Sequence, residues 1–252
     1  MSSWGRTLVL VCCLTLFVAT PVLSQSVSLR AGAGGLVLTR PNDLDTFLGS
    51  GTDLMLDLSL QPFSASFPGF EISTIGTFDR FTTNESDLLI FFPRVQNQVD
   101  DIDNGDLSFF TGSLGLRYTI VNADIPSKPY VTAGIGMYHY RYRPGTFLDE
   151  NGNIVTDSFD GTVFTLDGDE VISTALGWNA GVGLDFSVND TYGFFVEAQY
   201  VVVRNGEYGQ AITTIRSVET EDVTRYYPVR FGVTIRLATF GAAAAASTSP
   251  AE

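Results

Sequence analysis

Cysteine is confined to two adjacent positions, Cys12 and Cys13, and histidine to one, His139. A chain that starts after the N-terminal segment has no thiol and no disulfide, which excludes the cross-linked frameworks of small secreted folds. The same scarcity leaves no Cys or His cluster for a metal site. Basic residues are few, 14 against 28 acidic ones, for a formal net charge of -14; such a surface repels nucleic acid. Long apolar runs are missing too: after residue 25 no uninterrupted stretch approaches the roughly 18 residues of a membrane-spanning helix. With 44% hydrophobic and 17% charged residues, the chain suits one globular domain or one closed barrel. A membrane protein without apolar helices has only the barrel open to it.

The N-terminus reads as a targeting segment. A short stretch ending at Arg6 precedes an apolar run from Thr7 to Ala19, and Pro21-Val22-Leu23-Ser24 leads to Gln25, with small or β-branched residues where a signal peptidase acts. The expected signal peptide is 1–24, cleaved after Ser24. Val11 stands before Cys12 where a lipoprotein would carry Gly or Ala, which argues against acyl anchoring. The mature chain would keep 13 basic and 28 acidic residues.

The informative pattern is strict two-residue alternation, which sends successive side chains to opposite faces of a strand. From Thr174 to Val188 one face carries Leu176, Trp178, Ala180, Val182, Leu184 and Phe186, while the other carries Ala175, Gly177, Asn179, Gly181, Gly183 and Asp185. Leu54, Leu56, Leu58 and Leu60 alternate in the same way with Asp53, Met55, Asp57 and Ser59, and Val229, Phe231, Val233, Ile235 and Leu237 with Arg230, Gly232, Thr234 and Arg236. Eight strands are expected, at 27–40, 51–61, 69–81, 107–121, 129–143, 173–188, 192–204 and 226–239. Each is long enough to cross the roughly 25 Å apolar band of an outer membrane, at about 3.3 Å per residue. The connectors after the second, fourth and sixth strands are short, whereas three of the other four (82–106, 144–172 and 205–225, with 41–50 the exception) are long. Outer-membrane barrels sort periplasmic turns and external loops in this way; a soluble sandwich has little reason to. The expected fold is therefore all-β: an eight-stranded antiparallel up-and-down transmembrane β-barrel over 25–240. An Ala/Ser-rich flexible tail is expected at 241–252.

Four segments carry a family resemblance: Lys128-Pro129-Tyr130-Val131-Thr132-Ala133-Gly134-Ile135-Gly136, Gly177 to Phe186, Phe195-Val196-Glu197-Ala198-Gln199-Tyr200, and Pro228-Val229-Arg230-Phe231-Gly232-Val233. With these the sequence resembles the small outer-membrane barrel superfamily of OmpA-like transmembrane domains and OmpX-like proteins. The resemblance implies a fold and a place, the bacterial outer membrane, but hardly an activity, because such barrels include anchors, adhesins, solute conduits and a few lipid-modifying enzymes. Phe240 stands where these barrels carry a terminal aromatic, here followed by twelve further residues.

With the polar faces inward, Arg30, Arg117, Arg230 and Arg236 share an interior with Asp53, Asp57, Glu71, Asp79, Asp185 and Glu197. An eight-stranded barrel is just wide enough for side chains to fill it, and unpaired ions there are costly. The expectation is a salt-bridged structural plug; the alternative is a narrow ion or solute path. The external connectors hold most of the acids, including Asp43, Asp45, Glu85, Asp87, Asp100 to Asp106, and seven from Asp149 to Glu170. Asp100–Asp106 and Asp149–Asn153 superficially resemble calcium loops but lack the EF-hand ligand spacing and closing Glu. They are read as solvated turns, and the acidity as surface contact or a saline habitat. An apolar island, Leu88 to Pro93, is read as extending the neighbouring strands beyond the membrane, the alternative being an exposed patch for a partner or an apolar ligand.

Tyr138-His139-Tyr140-Arg141-Tyr142-Arg143 is read as an interfacial girdle in which His139, Arg141 and Arg143 meet lipopolysaccharide phosphates. A barrel deacylase would need a serine beside its histidine on one strand face. The same-face neighbours of His139 are Met137 and Arg141, so no catalytic residue is assigned. The whole reads as a monomeric, non-enzymatic barrel with no cofactor and no metal, in contact with outer-membrane lipid and lipopolysaccharide and offering its loops to a surface partner.

Overall fold

A computed structural model describes residues 25–40, 48–62, 67–83, 99–120, 127–155, 170–204 and 223–240. The expected targeting segment (1–24) and tail (241–252), the apolar island, and the acids Asp43, Asp45, Glu85, Asp87, Asp157, Asp160, Asp167 and Asp169 lie outside them. Eight strands follow one another: β1 (Gln25–Arg40), β2 (Leu48–Gln61), β3 (Phe70–Thr83), β4 (Asp101–Thr119), β5 (Ser127–Leu148), β6 (Val171–Ser187), β7 (Tyr192–Arg204) and β8 (Val223–Phe240). Each pairs antiparallel with the next, and β8 closes on β1 from Gln25↔Phe240 to Arg40↔Arg225. This is the closed eight-stranded up-and-down barrel that the alternation predicts. Closure leaves no strand edge unpaired, as a bilayer requires.

Its polarity is inverted relative to a soluble protein. Ile135 and Leu176 are 70% and 72% exposed, and Leu54, Phe110, Leu114, Val182 and Phe231 also face outward, whereas Arg30, Asp53, Asp57, Arg117, Glu197 and Arg230 are buried. An apolar outer wall around a charged interior is the arrangement of a barrel solvated by lipid. Outward aromatics gather near both rims: Phe186 stacks on Phe194 at 4.8 Å between centroids toward the short-turn end, and Trp178, Tyr200 and Tyr227 form a contiguous set on β6, β7 and β8.

The interior is filled in two layers. Toward the turns it is polar and charged. Toward the long connectors it is apolar and aromatic, with Leu36, Leu48, Phe81, Leu107, Phe109, Tyr138, Tyr140, Val203 and Tyr226 in one cluster. Phe109 stacks on Tyr226 at 5.5 Å and meets Phe81 edge-on at 6.4 Å. Missing side chains on β6 make room for the rings of β5. Gly183 is the register partner of Tyr130, and a Cβ there would stand 2.2 Å from its Cζ; Gly177 receives Tyr138 in the same way, at 2.5 Å.

The strand boundaries differ from expectation mainly in β4 and β5. Asp101–Asp106, expected in a loop, pairs with Arg143–Leu148 and carries the β4–β5 hairpin beyond the other strands. Strand parity puts acids or Asn on both faces there, a composition that reads as a loop in the sequence, whereas the backbone forms a ladder. The short β6–β7 turn is built on Asn189, whose Oδ1 accepts the Thr191 and Tyr192 amides at 2.9 and 2.7 Å. This self-bonding is why Asn-Asp sequences turn a chain so tightly.

Candidate functional site

Three arginines on β1, β4 and β8 organise the turn-side interior. Arg230 grips Asp53 with two bonds, Nε to Oδ1 at 2.6 Å and Nη2 to Oδ2 at 2.9 Å, and donates from Nη1 to Glu197 at 3.3 Å. Arg117 donates to Glu71 at 2.9 Å, pairs with Asp57, and reaches Ser59 at 3.1 Å. Arg30 donates to Asp185 at 2.9 Å and lies 3.7 Å from Glu197. Its guanidinium also covers the Phe195 ring at 3.9 Å, a placement that suits a weakly hydrated planar cation. Tyr130 joins the groups: its hydroxyl accepts from Arg30 and donates to Glu197, both at 2.9 Å. Register explains part of this, since Glu71↔Arg117 and Glu197↔Arg230 are direct cross-strand partners.

Of the eight residues expected in a lumen network, the structure brings together Arg30, Asp57, Glu71, Arg117, Asp185, Glu197 and Arg230. Arg236 is elsewhere. It has the inward parity of Arg230, but six residues along a strand is about 20 Å, which carries it to the rim. There it donates to the Asn189 carbonyl at 3.0 Å and to Ser187 Oγ at 2.8 Å, and among the described residues it makes no ion pair. Sequence reasoning misses Tyr130 and Phe195 as members of the network, and the aromatic layer above it. Strand parity is the available signal, because Phe195 is two residues from Glu197, and Tyr138, Tyr140 and Tyr142 share the parity of Thr132.

Asp79 sits between the two layers. It accepts the Tyr226 hydroxyl at 2.7 Å and that of Thr77 at 3.3 Å, and makes no ion pair among the described residues. Beyond it the interior is closed by rings with no solvent exposure, Phe81, Phe109 and Tyr226. At the opposite, turn-side mouth lies a cavity of about 260 Å³ whose innermost lining residues include Arg30 and Arg117.

The predicted girdle divides. Tyr138, Tyr140 and Tyr142 are buried in the loop-side interior, so the aromatic half of the motif is a correction to the interfacial reading: alternation must send it to the face opposite His139. The cationic half points outward. Arg141 and Arg80 are 47% exposed and Arg143 35%. Arg143 holds Asp106 with two bonds, at 2.7 and 2.8 Å, Arg80 reaches the same carboxylate at 3.0 Å, and Arg141 pairs with Glu170. His139 Nδ1 lies 2.9 Å from Thr174 Oγ1, a hydroxyl supplied by the adjacent strand rather than by its own.

A charged, filled interior inside an apolar wall that closes at eight strands decides the architecture. The chain has the fold of the small outer-membrane barrels. No protein-family model and no curated protein matches it. Among solved structures it is similar to Neisserial surface protein A, at 11% identity over 84% of this chain and 97% of that one, with a TM-score of 0.45. It is also similar to a major outer membrane protein from Thermus thermophilus, at 13% identity over 84% and 99% with a TM-score of 0.43. OprG from Pseudomonas aeruginosa is similar at 12% identity over 86% and 97%, with a TM-score of 0.41.

Beyond the loop-side end of β5 the Asp149–Asn153 segment forms a self-contained turn. Asp149 Oδ1 accepts the amides of Asn151 and Asn153 at 2.9 and 2.8 Å, and Gly152 takes a positive φ of 75°. Amide and side-chain donation from Asn153, followed by Asn151, holds the Asp149 carboxyl below the usual carboxylate range. Both oxygens of the Asp149 carboxylate are thus already engaged by the turn. Among the described residues no group of three or more Asp, Glu, His or Cys side chains has metal-ligand geometry.

Proposed function

We propose that this chain is a monomeric, non-enzymatic outer-membrane barrel that holds its external hairpins on a rigid, closed wall. Residues 1–24 direct export and are removed, and the N-terminus lies in the periplasm with the short turns. The observation that carries this reading is the filled interior. Ion-paired arginines occupy the turn-side half, and Phe81, Phe109 and Tyr226, all without solvent exposure, occupy the loop-side half. A conduit needs a continuous wet path, whereas this interior fills its cross-section with packed rings and paired charge.

The role then belongs to the outside. Arg80, Arg141 and Arg143 present cations on the outer face near the loop-side rim, beside the imidazole of His139. Arg80 and Arg143 share one carboxylate, that of Asp106, and partly exposed guanidiniums at this rim have the bidentate geometry that suits lipopolysaccharide phosphates. The protruding β4–β5 hairpin and the acidic connectors supply the surface for a partner outside the cell.

Conductance in planar bilayers tests the closed interior. The expected result is insertion without steady channel current, for the natural chain and for Arg230→Lys alike. Discrete openings that disappear in Arg230→Glu would replace this reading with a narrow channel.

A further inference from the structure

We propose that the turn-side mouth of the barrel binds a multiply charged oxyanion of the phosphate class. The mouth holds a cavity of about 260 Å³, far above the ~10–15 Å³ that one water requires. Its lining is basic in a chain whose overall charge is -14: Arg30, Arg117, Lys128 and Arg236 against Glu71 and Asp185. Both acids are already committed, Glu71 to Arg117 and Asp185 to Arg30, each at 2.9 Å. Lys128 stands opposite Asp185 in the β5–β6 register, yet among the described residues neither it nor Arg236 makes an ion pair. Among the described residues these two cations at the entrance thus stand outside the ion-paired network.

A second observation points the same way. Among the described residues Arg117 Nε and Thr119 Oγ1 are buried polar atoms without a hydrogen-bond partner, and both belong to residues that line this cavity, whereas Arg30 Nη1 faces Glu197 at 3.7 Å. A native interior rarely leaves such groups unsatisfied unless an ion or water completes them. Guanidinium donors at the back, an ammonium and a guanidinium at the entrance, and hydroxyls on the wall match an oxyanion that accepts several bonds at once. The nature of the anion follows from this chemistry, and only its periplasmic side rests on the orientation proposed above.

The test is titration of inorganic phosphate into the detergent-extracted barrel in neutral micelles, followed by calorimetry, with a parallel arm in micelles doped with phosphatidylglycerol. Saturable phosphate binding is expected, weakened at least tenfold in the double variant Lys128→Gln/Arg236→Gln and unchanged in Arg141→Gln on the outer face. Heat-modifiable mobility of each variant reports that the barrel still folds. If phosphatidylglycerol competes with phosphate in the natural chain but not in the double variant, the source in the membrane is a lipid headgroup; absence of competition assigns a free anion. No binding in either arm, binding that survives the double substitution, or binding lost in Arg141→Gln overturns the proposal. None of these outcomes bears on whether the barrel conducts.

Discussion

Arg230→Met is expected to destabilise the folded barrel by about 3–5 kcal/mol, read as a lower urea midpoint for folding into detergent or lipid. The substitution keeps approximate volume but leaves Asp53, which is fully buried and takes two bonds from this one guanidinium, as an uncompensated carboxylate. Glu197 loses its 3.3 Å donor at the same time and retains Tyr130 and Gln199. Removing one partner of a buried pair costs far more than the pair contributes when intact, because the remaining ion has lost water and gained nothing. Adding Asp53→Asn to Arg230→Met should accordingly recover part of the loss, a non-additivity expected of groups in contact. Arg230→Lys should fall between, since a point charge cannot reproduce the fork that spans Asp53 and Glu197. A shift below about 0.5 kcal/mol, the size of an ordinary surface change, would mean that the buried network does not support the wall.

The second large effect is expected on the opposite face. Leu114→Arg should cost about 2–4 kcal/mol in a bilayer, the penalty for a cation near the midplane of a barrel wall. Leu114 is 62% exposed and lies midway along the outward apolar row of β4, which runs through Phe110, Leu116 and Tyr118. For a soluble protein the same substitution at so exposed a site would be worth within about 0.5 kcal/mol. Ile154→Arg is the internal control: its side chain is 51% exposed, but it sits beyond the end of β5, outside the apolar wall. Equal and small effects at the two positions would show that water, not lipid, surrounds β4.

The elements legible in the sequence are those with one polar and one apolar face. In β6, small and polar residues alternate with large apolar ones from Thr174 to Val188, and burial follows the same two-residue period. The charged members of the network are legible for the same reason, since an ionisable side chain within the apolar band of a membrane strand has only the inner face open to it. Segments with amphipathic residues on both faces are not. Tyr138 to Arg143 alternates tyrosine with His and Arg, and either set suits an interface, so the inward turn of the tyrosines needs parity carried from Thr132. Asp101 to Asp106 has the composition of a loop, and only its pairing with β5 makes it strand. Arg236 shows a further limit. Parity places a side chain on a face but not at a depth, and depth separates a buried ion pair from a rim contact.

Electrophoretic mobility of the outer-membrane fraction, boiled against unboiled, tests the central claim most directly. A closed barrel whose ladders run from β1 to β8 and back to β1 resists unfolding by detergent at room temperature. The chain is expected to sediment with the outer membrane, its unboiled form migrating faster than its boiled form. A chain recovered from the soluble periplasmic fraction with one mobility under both conditions would contradict it, and the outward rows of leucine and phenylalanine would then have to pack against another protein surface rather than lipid.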